Sequence, residues 1–110
     1  MVNPHRGEVS LVVNGEPTRL RLTLGSLAAL EARLESNSLI ELAERFEGGQ
    51  IGATDLLALL AAGLQGSGHP MTERELSEAE IGGGAVGAMR AGLALLSAAF
   101  QPLERLGDEE

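Results

Sequence analysis

The chain has no cysteine, tryptophan or tyrosine, and only two phenylalanines among its 110 residues. Without thiols it can form neither a disulfide framework nor a thiolate metal site, which suits a cytoplasmic protein. Without aromatic rings it lacks the platforms on which single-stranded nucleic acids stack. The hydrophobic core must therefore be built from aliphatic side chains.

Basic residues are also scarce: eight stand against sixteen acidic ones, which gives a formal net charge of −8. Because nucleic acids are bound mainly by neutralising phosphates, we expect no nucleic-acid partner. No apolar run approaches the roughly 18 residues that a membrane span requires, so we expect no membrane partner either. An acidic surface of this kind favours solubility or a basic protein partner.

The length and the hydrophobic content of 44% are those of one globular domain with a single modest core. Fifteen glycines predict short helices separated by loops. We predict an α+β fold in which an N-terminal β-hairpin packs against a small bundle of about four to five short helices. The single domain spans residues 1–110, and we expect residues 1–6 and 104–110 to fray.

The predicted hairpin rests on strict alternation of apolar and polar residues in two segments, 7–13 and 18–24. Alternation is the period of a half-buried strand. Between the segments, Asn14 and Gly15 form a strong two-residue turn signal, because both residues tolerate positive φ. One face of the hairpin is then apolar and needs a cover.

The register of the hairpin depends on the length of its loop. A two-residue loop pairs Val13 with Glu16, whereas a four-residue loop pairs Val13 with Thr18. Because Pro17 cannot donate a hydrogen bond to a ladder, we favour the longer loop or an edge position for the proline.

Helical periodicity begins after the second strand and predicts the cover for the hairpin. Ser26 is the predicted N-cap of the first helix, and Ser38 and Thr72 open capping boxes of later helices. The helix that Thr72 opens is predicted to end at about Glu80. Another helix is predicted over about 53–64. The last is predicted over about 84–101, with heptad-like apolar spacing that Pro102 interrupts.

Residues 82–87, GGGAVG, fit the dinucleotide-binding pattern G-x-G-x-x-G. In a dinucleotide fold that pattern follows a strand and opens a helix within a βαβ unit. Here it follows a polar helical segment, no strand comes after it, and Glu78 and Glu80 would repel an anion. We interpret these glycines as a joint before the last helix, and as its pivot if that helix swings to grip a partner.

The remaining polar residues suggest no catalytic or metal site. His5 and His69, the two histidines, lie in predicted loops, and no cysteine is present to join them in a zinc site. Glu41, Glu44 and Glu47 recur at i, i+3 and i+6, which we interpret as a solvated helix face. We therefore expect no catalytic residues, no metal, no cofactor and no enzymatic activity.

The candidate partner-binding residues are apolar side chains of the last helix, Leu93, Leu96 and Phe100. The alternative is that this stripe completes the core. Leu96→Glu separates the two interpretations: a folded variant that loses its partner supports an interface, and an unfolded variant shows a core position.

Four segments in succession resemble the gene transfer agent tail protein family, and the resemblance covers almost the entire chain. The segments are NPHRGEV at 3–9, LRLTLGSLAALEARLE at 20–35, LAERFEGGQI at 42–51 and DLLALLAAGLQGSGH at 55–69. Members are small proteins encoded beside the major tail protein and the tape measure of gene transfer agents and related long-tailed phages.

The resemblance implies a tail assembly chaperone of a gene transfer agent or long-tailed phage. Such a protein binds the tape measure protein, recruits tail tube subunits in the cytoplasm of the bacterial host, and is absent from the mature particle. The alternative is a structural tail tube or minor tail subunit, although a tube subunit is expected to be β-rich. No catalytic residues transfer from the family, and self-association stays open.

Overall fold

An N-terminal hairpin precedes five helices in the computed structural model, which describes residues 7–34 and 38–108, with side chains as far as Ala99. The predicted α+β fold is confirmed for this part of the chain. The elements, in chain order, are β1 (Val9–Val13), β2 (Glu16–Leu20), α1 (Leu24–Arg33), α2 (Leu39–Glu47), α3 (Ala53–Gly66), α4 (Glu73–Ser77) and α5 (Gly84–Asp108).

The hairpin turn contains two residues, so the favoured four-residue loop is wrong. Val13 pairs with Glu16 across the turn. Asn14 has φ of 53° and Gly15 has φ of 81°, the two positive values that a type I′ turn requires. Pro17 lies opposite Val12 on the outer strand, so the edge position was the correct alternative for the proline.

The free edge of β1 is covered by the segment 80–82, which the sequence did not predict as a strand. The Asn14 N–H donates to the carbonyl oxygen of Glu80 at 2.7 Å, and the Gly82 N–H donates to the carbonyl oxygen of Val12 at 2.8 Å. The Asn14 Oδ1 accepts a further bond from the Glu80 N–H at 2.9 Å. These bonds extend the sheet by one short bridge and anchor the start of α5.

The end of β2 lies against the C-terminal half of α3. The Arg21 N–H donates to the carbonyl oxygen of Gly63 at 2.9 Å. A Cβ at Gly66 would collide with the Arg21 carbonyl group, and one at Gly63 would meet the side chains of Leu20 and Leu95. Two glycines on one face of α3 therefore allow the close approach of strand and helix.

Side-chain caps open three of the helices, and one of them differs from the prediction. The N-cap of α1 is Thr23, three residues before the predicted Ser26. The Ser26 N–H donates to Thr23 Oγ1 at 3.1 Å and the Thr23 N–H donates to Ser26 Oγ at 2.6 Å. Ser38 caps α2 and Thr72 caps α4, as predicted, and the reciprocal bond of a capping box accompanies the cap at Thr72, whereas at α2 the Ser38 hydroxyl alone supplies the cap.

The two C-terminal helices have different lengths from those predicted. α4 ends at Ser77 rather than near Glu80, because the chain turns to pair with β1. α5 continues through Pro102 to Asp108. The predicted fraying at 1–6 and at 109–110 concerns residues outside those described, whereas the backbone of 104–108 belongs to α5.

Apart from the ring of Phe46, the described core is aliphatic, and it centres on α3, which packs against α1, α4, α5 and β2. Burying one leucine side chain contributes about 1.5–3 kcal/mol to stability. The largest fully buried side chains are all leucines, namely Leu20, Leu30, Leu42, Leu59, Leu60, Leu64, Leu76 and Leu95.

Candidate interaction surfaces

Polar chemistry is sparse in the part of the chain that the structure describes. Among the side chains of 7–34 and 38–99, no three His, Asp or Glu groups lie close enough together to hold a metal ion. In the same residues, no helix combines the length and the apolar character needed to cross a membrane. His69 lies in a loop with Nδ1 3.5 Å from the Ser67 hydroxyl, and His5 falls outside the described residues. The remaining candidate features of the described residues are surfaces.

The glycine-rich segment 82–87 owes its composition to packing. A Cβ at Gly82 would lie 2.7 Å from the Cβ of Val12, and one at Gly87 would collide with the Gly82 carbonyl oxygen. Gly83 and Gly84 have φ of 81° and 62°. These glycines therefore form a tight turn fastened to β1, and any pivoting of α5 must first break that contact.

The three candidate residues of α5 have different environments. Leu93 is 49% exposed and Leu96 is 2% exposed, whereas the side chain of Phe100 lies outside the description. Leu96 lies one helical turn after Gly92, which faces α2 and α3, and therefore belongs to the buried side. Of the two described side chains, only Leu93 offers surface to a partner, and a partner contact of the set stays a prediction.

Another set of α5 residues forms an exposed row, here called the α5 stripe: Val86, Arg90 and Leu93. Their i, i+4 and i+7 spacing places them on one helix face. Val86 is 60% exposed, and Arg90 is exposed as well. Within the described residues, no acidic side chain forms an ion pair with Arg90. The row is thus apolar at both ends and positively charged in the middle.

A matching row on α2, here called the α2 stripe, consists of Ile40, Glu44 and Glu47. It has the same i, i+4 and i+7 spacing, and Ile40 is 69% exposed. No basic side chain in the described ranges forms an ion pair with Glu44 or Glu47. Glu44 and Glu47 are exposed, in agreement with the predicted solvated helix face. Ile40 was not part of that prediction, although its spacing places it beside them on the helix.

Both stripes lie on helix faces that are turned away from the contact between α2 and α5. The ring of Phe46 on α2 lies against Gly92 of α5, where an added Cβ would come within 2.9 Å of it. Phe46 is buried, and the residues of the α2 stripe lie roughly 100–160° around the helix axis from it. Arg90 precedes Gly92 by two residues, which at roughly 3.6 residues per turn places it about 160° around the axis of α5. One molecule therefore cannot bring its own stripes together.

Two ion pairs fix the helices that surround these surfaces. Arg33 Nε lies 2.9 Å from Glu73 Oε2 and joins α1 to α4. Arg45 Nη2 lies 2.9 Å from Asp55 Oδ2 and joins α2 to α3. Both pairs connect neighbouring elements and hold four charged side chains in structural contacts.

An apolar groove of about 470 Å³ lies between α3 and the start of α5. Leucines of α3 and α4 and small side chains of α5 line it, among them Leu56, Leu60, Leu76 and Ala88. Its lining carries no charged side chain, whereas each of the two stripes contains at least one.

The described surface thus offers apolar and charged patches for contact with other proteins. The family described as phage tail tube protein, GTA-gp10, matches residues 6–102, and the chain belongs to that family. No curated protein matches the chain, and no solved structure matches it either.

The family match confirms the resemblance to gene transfer agent and phage tail proteins and corrects the function drawn from it. The tail assembly chaperone is contradicted, because the matching family is one of tail tube proteins. The alternative, a structural tail tube subunit, agrees better. Resemblance along a chain reports common fold, and fold alone does not separate an assembly factor from a subunit.

Proposed function

We propose that this protein is a structural subunit of the tail tube of a gene transfer agent or a related long-tailed phage. The observation that carries the proposal is the match to the tail tube family over residues 6–102. The exposed stripes support it, because a subunit of a repeating structure must present contact surfaces on more than one side.

The helical content of the chain affects how such a subunit would be built into a tube. A tube subunit was expected to be β-rich, yet the described residues contain one hairpin with a single added bridge. Contacts between copies would then be made by helix faces rather than by a continuous sheet.

Mass spectrometry of purified particles tests the proposal. We expect the protein in intact particles in many copies, at a constant ratio to the major capsid protein, and depleted from a tailless fraction of the same preparation. A protein that is abundant in the cell lysate but missing from purified particles would contradict a structural role.

We infer further that the protein is made in the cytoplasm of the bacterial host and enters the particle there. The expected absence from the mature particle came with the chaperone interpretation, and the same mass spectrometry decides it. Contact with the tape measure protein stays a prediction, which cross-linking of intact tails followed by peptide identification would check.

A further inference from the structure

The hairpin offers few free backbone groups through which two copies of this chain could pair their strands. The outer edge of β1 is occupied by the segment 80–82 from Val12 to Asn14. On the outer edge of β2, Pro17 has no N–H to donate, and the Arg21 N–H is bound to Gly63. Strand addition needs a row of free backbone groups, and the described sheet offers only short remnants around Ser10 and Arg19.

Charge restricts how the two stripes can pair between copies. Contact between two α5 stripes would bring Arg90 against Arg90, and contact between two α2 stripes would bring glutamates together. Only the α2 stripe of one copy against the α5 stripe of another places opposite charges opposite each other. In a head-to-tail arrangement such a contact leaves one stripe free on each copy of a pair.

The spacing of the stripes fits this arrangement. Each stripe extends about 10 Å along its helix, at roughly 1.5 Å per residue. When the stripe ends are aligned, Arg90 lies within about 1.5 Å of Glu44 along the axis, whether the helices run parallel or antiparallel. Ile40 then faces Val86 in one direction and Leu93 in the other, so one apolar pair meets in either case, and Glu47 lies opposite the remaining apolar residue of the α5 stripe.

We propose that the α2 stripe of one copy docks on the α5 stripe of a second copy, with Arg90 set against Glu44 and Glu47. The contact is head-to-tail, so its repetition generates a closed ring or an open helical filament. The proposal deepens the structural role proposed above and rests on it, since a tube is assembled from repeated copies of its subunit.

Charge reversal tests this contact in the purified full-length chain. Two variants each disrupt one side, Arg90→Glu and the double substitution Glu44→Arg with Glu47→Arg. Arg74→Glu is the matched control, because Arg74 is also exposed and unpaired among the described residues and the change in net charge equals that of Arg90→Glu. Sedimentation velocity over a range of protein concentrations measures self-association, and thermal melting by circular dichroism verifies the fold.

We expect the wild-type chain to self-associate and each disrupting variant to do so at least about tenfold more weakly, since attraction becomes repulsion. Arg74→Glu should behave as wild type. An equimolar mixture of the two disrupting variants should recover association, because each supplies the complement of the other. If charge reversal lowers the melting temperature, Arg90→Gln and Glu44→Gln replace the reversed variants, with a smaller expected loss.

Several results would overturn the contact: a wild-type chain that stays monomeric at every concentration, variants that associate like wild type, a mixture without recovery, or equal weakening by Arg74→Glu. Particle composition separates this failure from that of the proposed function. A protein found in many copies in particles, yet insensitive to both charge reversals, retains the tube role and loses this interface. A protein that shows the full pattern of recovery but is absent from particles retains the interface and loses the tube role.

Discussion

At Gly82 the absence of a side chain is a packing requirement. The segment 80–82 approaches β1 closely enough that the Cβ of Val12 occupies the space next to Gly82. Leu96 shows the opposite case, in which a large side chain fills the interior beneath α5 and leaves 2% of its surface exposed. Both positions were singled out from the sequence for possible roles in partner binding, and the structure gives both a role in packing.

Gly82→Ala should destabilise the fold, because the added methyl group would lie 2.7 Å from Val12 Cβ. Overpacking of this kind costs about 1–3 kcal/mol. Urea denaturation measures the free energy of unfolding. The control is Gly25→Ala in α1, where the nearest atom to an added Cβ is 3.9 Å away, and a stability equal to or above wild type is expected there. Equal stability of the Gly82 variant and wild type would show that the turn is not fastened to β1.

Leu96→Glu should abolish the cooperative unfolding transition, because a carboxylate replaces a fully buried side chain and the loss of a core leucine alone costs about 2–5 kcal/mol. Leu93→Glu should keep the fold, since Leu93 is half exposed. Circular dichroism during heating distinguishes the two. A well-folded Leu96 variant would mean that this side chain is accessible after all.

At the scale of the elements, the predictable features are local in sequence. The alternation of β1 and β2, the turn signal at Asn14 and the caps at Ser38 and Thr72 each involve residues at most a few positions apart. The pairing of 80–82 with β1 joins residues 66 positions apart, and no periodicity in the sequence predicts it. The four-residue loop was wrong because it assumed that Pro17, which has no N–H, could not pair with β1. The ring nitrogen of Pro17 points away from β1, so the missing N–H does not affect the pairing.

The candidate surfaces also combine a feature that is local in sequence with one that depends on long-range packing. The helical spacing of Leu93 and Leu96 was correctly read, but which side of α5 is covered depends on where α2 and α3 pack. Gly92, where α2 and α3 both approach, decides that question. Sequence spacing therefore predicts the faces of a helix, and tertiary packing determines which of them is left exposed.

Ser38→Ala should weaken the anchoring of α2. The Ser38 hydroxyl accepts a hydrogen bond from the Glu41 N–H at 3.1 Å, and loss of such a cap costs about 1 kcal/mol. Urea denaturation checks the stability, with Ser97→Ala on the exposed face of α5 as a control expected to match wild type. Hydrogen exchange should show faster opening of α2 in the Ser38 variant, and unchanged exchange there would contradict the role of the cap.

At the scale of the whole molecule, the charge of −8 acts against compactness and against association between copies. Three arginines form ion pairs within the described residues, and they connect β2 to the residue before β1, α1 to α4, and α2 to α3. Arg90 remains as a positive group on an otherwise apolar row. Salt screens both the overall repulsion and the local attraction at Arg90. Loss of the repulsion stabilises the monomer, whereas loss of the attraction weakens self-association.

Raising the salt concentration should therefore raise the melting temperature of the monomer while weakening self-association. At about 1 M salt the screening length falls to roughly 3 Å, which suppresses both the net repulsion and the exposed contact between Arg90 and Glu44. Melting of a dilute sample and sedimentation of a concentrated one, each at low and high salt, measure the two effects. Self-association that strengthens with salt would show that the net repulsion between copies outweighs the attraction between Arg90 and Glu44, and would contradict a contact held by that ion pair.

The turn at Asn14 also has a chemical consequence. An asparagine followed by glycine loses ammonia when the Gly15 backbone nitrogen attacks the side-chain amide carbon, closing a succinimide ring that hydrolyses to aspartate or isoaspartate. In this protein the Asn14 side chain is held by the Glu80 N–H at 2.9 Å and cannot rotate freely towards Gly15. The rate of deamidation at Asn14 should therefore report how often the contact between β1 and the segment 80–82 opens. Molecules that carry aspartate or isoaspartate at position 14 after ageing would be those in which that contact had opened.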